Sequence, residues 1–511
     1  MLICSKSKKI LKGLSSSRST GIDELDNYSL KLAADIVFQP IHHIVCLSII
    51  QCKFPDIWKY SKVIPLHKKG DMTDRKNYRP VAILSPVSKV VEKIVYEQIY
   101  DYFTRNRLFH PNLHGYRRNR STQTALIQVY DRWIRAAMEG KLSGVVLLDL
   151  SAAFDLVDAD LLLKKLKIYG FENDILSWLK SYLVNRHQAV WIDHILSGFL
   201  HCEAGVPQGS NLGPLLFLIF YNDLPMSLSC SLDAYADDST MSVSGTTLEE
   251  IGVSLTENCT TVCNWMKGNK LKLNPDKTHL LTVGTSARLQ LQDSSLEVYM
   301  DGFKLNESLD RKEMLLGCLI EPHLKWHQQI EFVMKKLQQR LTAIRNLGSK
   351  VPFDIRCKIA EGMFMSVLAY CLPVFGGCNK GEIDSLQIMQ NYAARFVTRS
   401  DRRTNRQAMF LQTGWLTVRQ LIQYHTALAI YRIRDSKEPE YLSKILLKEN
   451  RVNKIIIPNT TLSLAKRSFC FRGAEEWNQL PEAVRSCGKI GVFKAKLKSW
   501  ILENIPPFGE S

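Results

Sequence analysis

Four consecutive apolar residues, Val145-Val146-Leu147-Leu148, read as a strand buried on both faces, and they run directly into Asp149. Further on, two short apolar runs flank Tyr235-Ala236-Asp237-Asp238, with Leu232 before it and Met241 and Val243 after it. That pattern predicts a β-hairpin with a tight turn. Between these segments, Gly205-Val206-Pro207-Gln208-Gly209-Ser210-Asn211-Leu212 predicts a compact loop feeding a long apolar helix that begins near Gly213. An amphipathic helical stretch covers Ser29 to Cys52. After His327 the spacing of Ile330, Val333, Leu337, Leu341 and Ile344 is helical. From Trp58 to Gly317 strands and helices alternate in a non-repeating order, which predicts an α+β fold with an antiparallel sheet backed by helices on one face. A linker is expected around Glu449 to Thr461, and no internal repeat or low-complexity tract occurs.

The polar residues at the ends of these runs carry the candidate chemistry. A carboxylate after a buried strand is costly unless it is paired or binds a metal. Asp149 is therefore either a ligand or an N-cap of the following helix, a role open equally to Ser151 and Asp158. The adjacent Asp237 and Asp238 repel each other and are tolerated where a cation or solvent neutralises them. Together the three form a cluster of hard oxygen donors suited to Mg²⁺. Two such ions, roughly 3.5–4 Å apart, activate a 3′-hydroxyl and stabilise a leaving pyrophosphate. The glycines of the loop at 205–213 admit close approach of a ligand, and the helix start offers N–H groups to phosphate; a purely structural turn explains them as well.

Composition adds a partner. Lys and Arg outnumber Asp and Glu by 67 to 50, a net charge of +17, which points to a polyanion such as nucleic acid. Arg117-Arg118-Asn119-Arg120, Lys335-Lys336 and Arg402-Arg403 with Arg406 form basic clusters along an expected binding track. The 13 cysteines lack paired metal-binding spacing, with Cys259 and Cys263 read as core, and their dispersion suits a reducing compartment. Neither a signal peptide nor an apolar run long enough for a membrane span is visible, so no membrane partner is expected. Lys6, Lys8 and Lys9 form a short basic group that could aid nuclear import, a frayed terminus being the commoner explanation, and an intracellular protein acting in nucleus and cytoplasm is expected.

Taken in order, LDLSAAFD (Leu148–Asp155), GVPQGSNLGPLLFLIFYNDLP (Gly205–Pro225) and AYADDST (Ala234–Thr240) resemble the A, B and C motifs of reverse transcriptases. The wording is similar to non-LTR (LINE-type) retrotransposon polymerases, above all the jockey, CR1 and L2 groups. The resemblance extends to Trp58-Lys59, Val63–Asp71 and Asn77-Tyr78-Arg79-Pro80 as a fingers hairpin, and to His114-Gly115-Tyr116-Arg117 with Arg120-Ser121-Thr122. It continues through Leu273–Thr278, Leu315-Leu316-Gly317 and the tail around Trp477-Asn478, Phe493-Lys494 and Trp500. Ala159 and Asn211 depart from the usual pattern at positions that carry no chemistry.

The resemblance implies a right-hand polymerase fold of fingers, antiparallel-sheet palm and helical thumb with a helical C-terminal region. Residues 1–45 form an N-terminal helical extension, 46–317 the reverse transcriptase domain, and 318–511 the thumb and C-terminal region. The implied activity is RNA-directed DNA synthesis on a primer 3′-hydroxyl, with two Mg²⁺ ions, an RNA template, a DNA primer or nicked target DNA, and dNTPs. Asp149 and Asp237 hold the metals with Asp238 beside them, and Lys277 is a candidate general acid, an exposed lysine without a duty being the alternative. Lys68, Lys69 and Arg79 grip the triphosphate, and Gln208 touches the incoming nucleotide. Phe154 closes on the sugar at the ribose 2′ position, ordinary packing being its alternative. His323, Trp326 and His327 are read as packing residues. Some fifty residues before the first motif are too few for an endonuclease, so that activity is expected to be absent. The competing readings are a catalytically inactive, co-opted or decayed nucleic-acid-binding remnant of such an element, and a group II intron maturase or telomerase-like protein.

Overall fold

The computed structural model describes residues 2–508 except 69, 275–276, 293–294, 308–311, 347–350, 451–453 and 458. The chain divides into two compact units, each built from several segments. The first contains Met1–Tyr116, Leu148–Ser239 and Asn258–Lys277; the second contains Arg117–Leu147, Thr240–Glu257 and Thr278–Ser511. The architecture is α+β, as the alternation of runs predicts.

In the first unit the strands Tyr60–His67 and Tyr78–Ile83 form an antiparallel hairpin in which Leu66 faces Arg79 and Pro65 faces Pro80. Tyr60–Val63 also pairs in parallel with His187–Val190. Proline donates no N–H, so it is confined to places where one side of the ladder is open. Pro65 fits because it lies past Val63, where the parallel pairing ends, and Pro80 fits because its strand is at the sheet edge. The helix Pro86–Arg105 starts with Ser85 accepting the Val87 N–H and proline at its first position, and it buries Val87, Val91, Ile94, Val95, Ile99 and Phe103. The helix Gly213–Tyr221 is buried throughout, which is why its sequence shows no polar face. Cys259 and Cys263 are buried, as read from the sequence. The expected helical stretch at 29–52 is two helices, Asn27–Leu32 and Ala34–Ile50.

In the second unit, Ser143–Leu147 pairs antiparallel with His279–Val283, Val145 facing Leu281. The helix Thr122–Met138 opens on a reciprocal cap between Ser121 and Thr124 and buries Trp133. The 3.6-residue pattern after residue 327 is the helix His327–Arg345, followed by Lys380–Thr398, Val418–Ser436, Phe469–Gln479 and Ile490–Asn504 around one apolar core. Trp326 is a packing residue stacked on Tyr130 with ring centroids 4.6 Å apart. His323 and His327 are not: both are exposed, and His327 faces Glu331 and Glu382 instead. Within the expected linker, Ile455 is buried and its N–H donates to Asn478 Oδ1 at 2.8 Å, while residues 451–453 and 458 lie outside the described residues. No described helix is long and apolar enough to cross a membrane.

Candidate active site

Asp149 leaves the buried strand Leu142–Leu148 and stays partly exposed. Its carbonyl accepts the Asn274 N–H at 2.9 Å, beside the short ladder that joins Leu150 to Leu273. The capping alternative is excluded. Asp158 caps the helix Ala159–Ile168 by accepting the Leu161 N–H at 2.9 Å, which leaves the Asp149 carboxylate unused by that helix. Lys277 Nζ lies 3.6 Å from Asp149 Oδ2, while the lysine side chain stays mostly solvated.

The predicted hairpin is present: Ser231–Tyr235 turns through Ala236 and Asp237 into Asp238–Gly245. Ala236 takes a left-handed φ of 61°, an uncommon conformation for a residue with a Cβ, so something must hold it there. The backbone of Asn112–Gly115 does so. His114 N–H donates to Ala234 O at 2.8 Å, and Ala234 N–H donates to Asn112 O at 3.0 Å. Gly115 then passes so close to Ala236 that a Cβ on it would overlap the Ala236 nitrogen. Beneath the turn, buried His114 and Asp233 face each other at 3.6 Å.

Asp237 and Asp238 are both exposed on the hairpin. Although Asp238 is open to solvent on one side, its carboxyl is held above its ordinary range first by the desolvation that the surrounding protein imposes, then by the charges of Asp237 and Asp149. The three nominated carboxylates therefore share one field, a like-charge cluster that a cation relieves. Among the described residues no three His, Cys, Asp or Glu side chains close around an ion by themselves. Mg²⁺ does not require that, since it binds through one or two carboxylates and completes its shell with water and substrate phosphates. The donor set fits the group.

Phe154 is half-buried, stacked on Phe217 at 4.7 Å and met edge-on by Tyr116 at 5.9 Å. Tyr116, which sequence reading left without a role, has its hydroxyl pushed up to about 12 by burial and then by Asp237, with Arg79 acting against the shift. Arg79 is exposed on its edge strand, and its charge acts on the Tyr116 hydroxyl. Lys68 is exposed after the first hairpin strand, its N–H on Asn77 O at 2.8 Å. Lys69, with Pro275 and Asp276 of the Leu273–Thr278 motif, lies outside the described residues.

Of the two readings open for the glycine loop, the contacts of Gly205 and Gly209 favour the structural turn. A Cβ on Gly205 would meet the Asp155 backbone at 2.9 Å, and one on Gly209 would overlap the Ala82 carbonyl. Both glycines therefore serve contacts of backbone with backbone rather than with a ligand. Ahead of the helix the carboxylate of Glu92 accepts the Asn211 N–H at 2.6 Å, and Ser210 Oγ accepts the Gly213 N–H at 2.9 Å, so these two donors are already used within the protein. Gln208 Nε2 donates to both oxygens of Asp155 at 3.0 Å. Asp155 was not nominated as a site residue, although it closes the LDLSAAFD motif. The signal for Glu92 was present too, as a charge among Ser88, Val91 and Val95 on the apolar stripe of its helix.

The basic track also needs correction. Arg120 and Arg117 are largely buried and paired with Glu438, Arg120 Nη2 at 2.6 Å from Oε2. Lys335, Lys336, Arg402, Arg403 and Arg406 are exposed.

A family model described as reverse transcriptase (RNA-dependent DNA polymerase) matches residues 66–340. The chain belongs to the reverse transcriptase family. The probable RNA-directed DNA polymerase from transposon BS of Drosophila melanogaster is 28% identical over 444 residues, covering 83% of this chain and 48% of that protein. The RNA-directed DNA polymerase from mobile element jockey of the same organism is 26% identical over 409 residues, 76% of this chain and 43% of its own length. The probable polymerase from transposon X-element, also of Drosophila melanogaster, is 24% identical over 396 residues, 75% and 42% respectively. The chain spans just under half the length of each of these relatives. The resemblance to non-LTR retrotransposon reverse transcriptases is upheld, and the α+β fold agrees with the family. Reverse transcriptases act on nucleic acid and deoxynucleoside triphosphates and generally use divalent metal ions.

Proposed function

We propose that this reverse transcriptase is an active RNA-directed DNA polymerase of a non-LTR retrotransposon, extending a primer 3′-hydroxyl with dNTPs on an RNA template. The reading is supported by the hairpin turn that carries Asp237 and Asp238 and by Asp149 at the end of the strand Leu142–Leu148, whose charge acts on Asp238 together with that of Asp237. Asp149 and Asp237 are the residues to hold two Mg²⁺ ions, with Asp238 as a further ligand or as a charge that tunes the field. When bound, such ions activate the attacking hydroxyl and stabilise the departing pyrophosphate.

The protein groups supply the rest. Lys68, Lys69 and Arg79 neutralise the triphosphate, Arg79 through a bidentate fork. Lys277, beside Asp149, donates a proton to pyrophosphate as it leaves. The Phe154 ring, backed by Phe217, lies under the sugar and excludes a 2′-hydroxyl. Gln208, held by Asp155, contacts the nucleotide from the loop. Action in the nucleus accords with this role.

The test is primer extension by the purified chain on an RNA template. Extension that depends on Mg²⁺ and on all four dNTPs is the expected result. A folded protein that binds RNA yet adds no nucleotide overturns the proposal in favour of an inactive binding remnant.

A further inference from the structure

The loop that carries Gln208 rests on a buried charge that nucleotide addition, as described, does not use. Glu92 on the helix Pro86–Arg105 is 0% exposed. Its Oε2 accepts the Asn211 N–H at 2.6 Å, and the Asn211 side chain donates to Lys89 O at 2.9 Å, so both ends of Asn211 are tied to one helix. The other carboxylate oxygen, Oε1, has no hydrogen-bond partner among the described residues, and neither does Arg186 Nη2, both closed off from solvent, while the buried Tyr182 hydroxyl faces Ser210. Arg186 donates through Nη1 to Tyr182 O at 3.0 Å, and its guanidinium lies 5.2 Å from the centre of the Tyr182 ring. A strand, two helices and the loop therefore meet at a polar centre that is only partly satisfied. An apolar side chain would pack there at less cost.

We infer that Glu92 is a positioning residue for the incoming nucleotide: its carboxylate holds the backbone at Asn211 and Leu212, and through it Gln208, and its charge state sets how firmly the loop is held. The inference rests on the proposal that Gln208 contacts the nucleotide. Burial pushes the Glu92 carboxyl up to about 7, against the Asn211 and Leu212 N–H groups and the charges of Arg186 and Lys89. The titratable and charged groups facing it are Lys89 on its own helix, Arg186 on the strand Arg186–Ile192, and Tyr182 on the helix Asn173–Leu183. The loop itself contributes N–H groups and the Ser210 hydroxyl. Below about pH 7 the acid is neutral and a weak acceptor; above it the charged carboxylate strengthens both backbone bonds. The loop therefore tightens as pH rises through neutrality.

Steady-state primer extension over about pH 6 to 8.5 tests this with wild type, Glu92→Gln and Gln208→Ala. At pH 8, Glu92→Gln is expected to raise the dNTP KM about tenfold while kcat stays within about threefold, the loss of one charge-assisted interaction used in binding. It also flattens the wild-type rise of kcat/KM across neutrality, which a merely structural role does not. Amide hydrogen exchange on the unaltered chain supplies a readout should the variant fail to fold. After correction for intrinsic rates, protection at Asn211 and Leu212 rises between pH 6 and pH 8. A folded Glu92→Gln with unchanged KM and pH profile, or pH-independent protection at those amides, overturns the inference. If Gln208→Ala raises the dNTP KM and Glu92→Gln does not, the inference fails alone. If Gln208→Ala leaves KM unchanged, the nucleotide reading of the loop fails and takes the inference with it.

Discussion

Asp149 and Asp237 come from segments almost ninety residues apart, and each alone has an ordinary explanation as a cap or a solvated turn. Their juxtaposition with Asp238 removes the first explanation, since Asp158 caps the helix and Asp149 remains with a lysine and two like charges for neighbours. Asp149→Ala or Asp237→Ala is expected to lower single-turnover extension by about a thousandfold or more, the scale of several kcal/mol of metal-ion stabilisation. RNA affinity, read by fluorescence anisotropy, should change little because phosphate contacts come from elsewhere. Extension above a few per cent in both variants removes the assignment. Phe154 poses the opposite problem, because it packs on Phe217 and is still half open. Phe154→Ala is expected to admit ribonucleotides far more readily while losing only a stacking contact worth about 0.5–1.5 kcal/mol. A well-folded variant whose sugar preference is unchanged, measured beside a thermal melt, reduces Phe154 to packing.

At the scale of elements, the acidic turn depends on a strand-like segment that is remote in sequence. Ala236 keeps its left-handed backbone because Asn112–Gly115 runs alongside it, and Gly115 is the residue without which the two backbones could not approach. Gly115→Ala should therefore displace Asp237 and reduce extension steeply, while overpacking lowers stability by about 1–3 kcal/mol. Circular dichroism melts paired with extension rates check this; full activity in the variant shows that the turn is held by other means. The hairpin, the buried strand and the thumb-like helix were legible because each declares itself by a local period of apolar residues. The purpose of the loop glycines was not legible. Close approach to a ligand and close approach to Ala82 or Asp155 make the same demand on the residue, namely no Cβ, so only the packed neighbour tells them apart.

For the whole molecule, the excess of 17 positive charges predicts affinity for template-primer that falls steeply with salt. The structure decides which charges contribute. Lys335, Lys336, Arg402, Arg403 and Arg406 are exposed, and removing one that contacts phosphate should reduce the slope of log affinity against log salt by up to about 0.9. Arg120 should act differently, as it is buried against Glu438. Arg120→Ala is expected to leave the slope unchanged and to lower stability by about 1.5–3 kcal/mol, because Glu438 loses its shorter ion pair and keeps only Arg117 at 3.4 Å. Salt titrations of binding and urea melts separate the two classes, and a reduced slope in the Arg120 variant would return it to the binding track.

By itself the sequence determined most kinds of element, the order of the polymerase motifs and the family, and it named the carboxylates proposed for its centre. Such features are written in short periods and fixed spacings, which survive without knowledge of neighbours. Only the tertiary structure decided which aspartate caps a helix, which arginines are spent on Glu438, why Gly115 must be glycine, and that a buried glutamate takes up the Asn211 N–H ahead of the helix Gly213–Tyr221. Each of those turns on burial and on a partner tens or hundreds of residues away. A charged side chain has the same local signature whether water, a ligand or a packed backbone satisfies it, and the surroundings that separate these cases exist only in the folded chain.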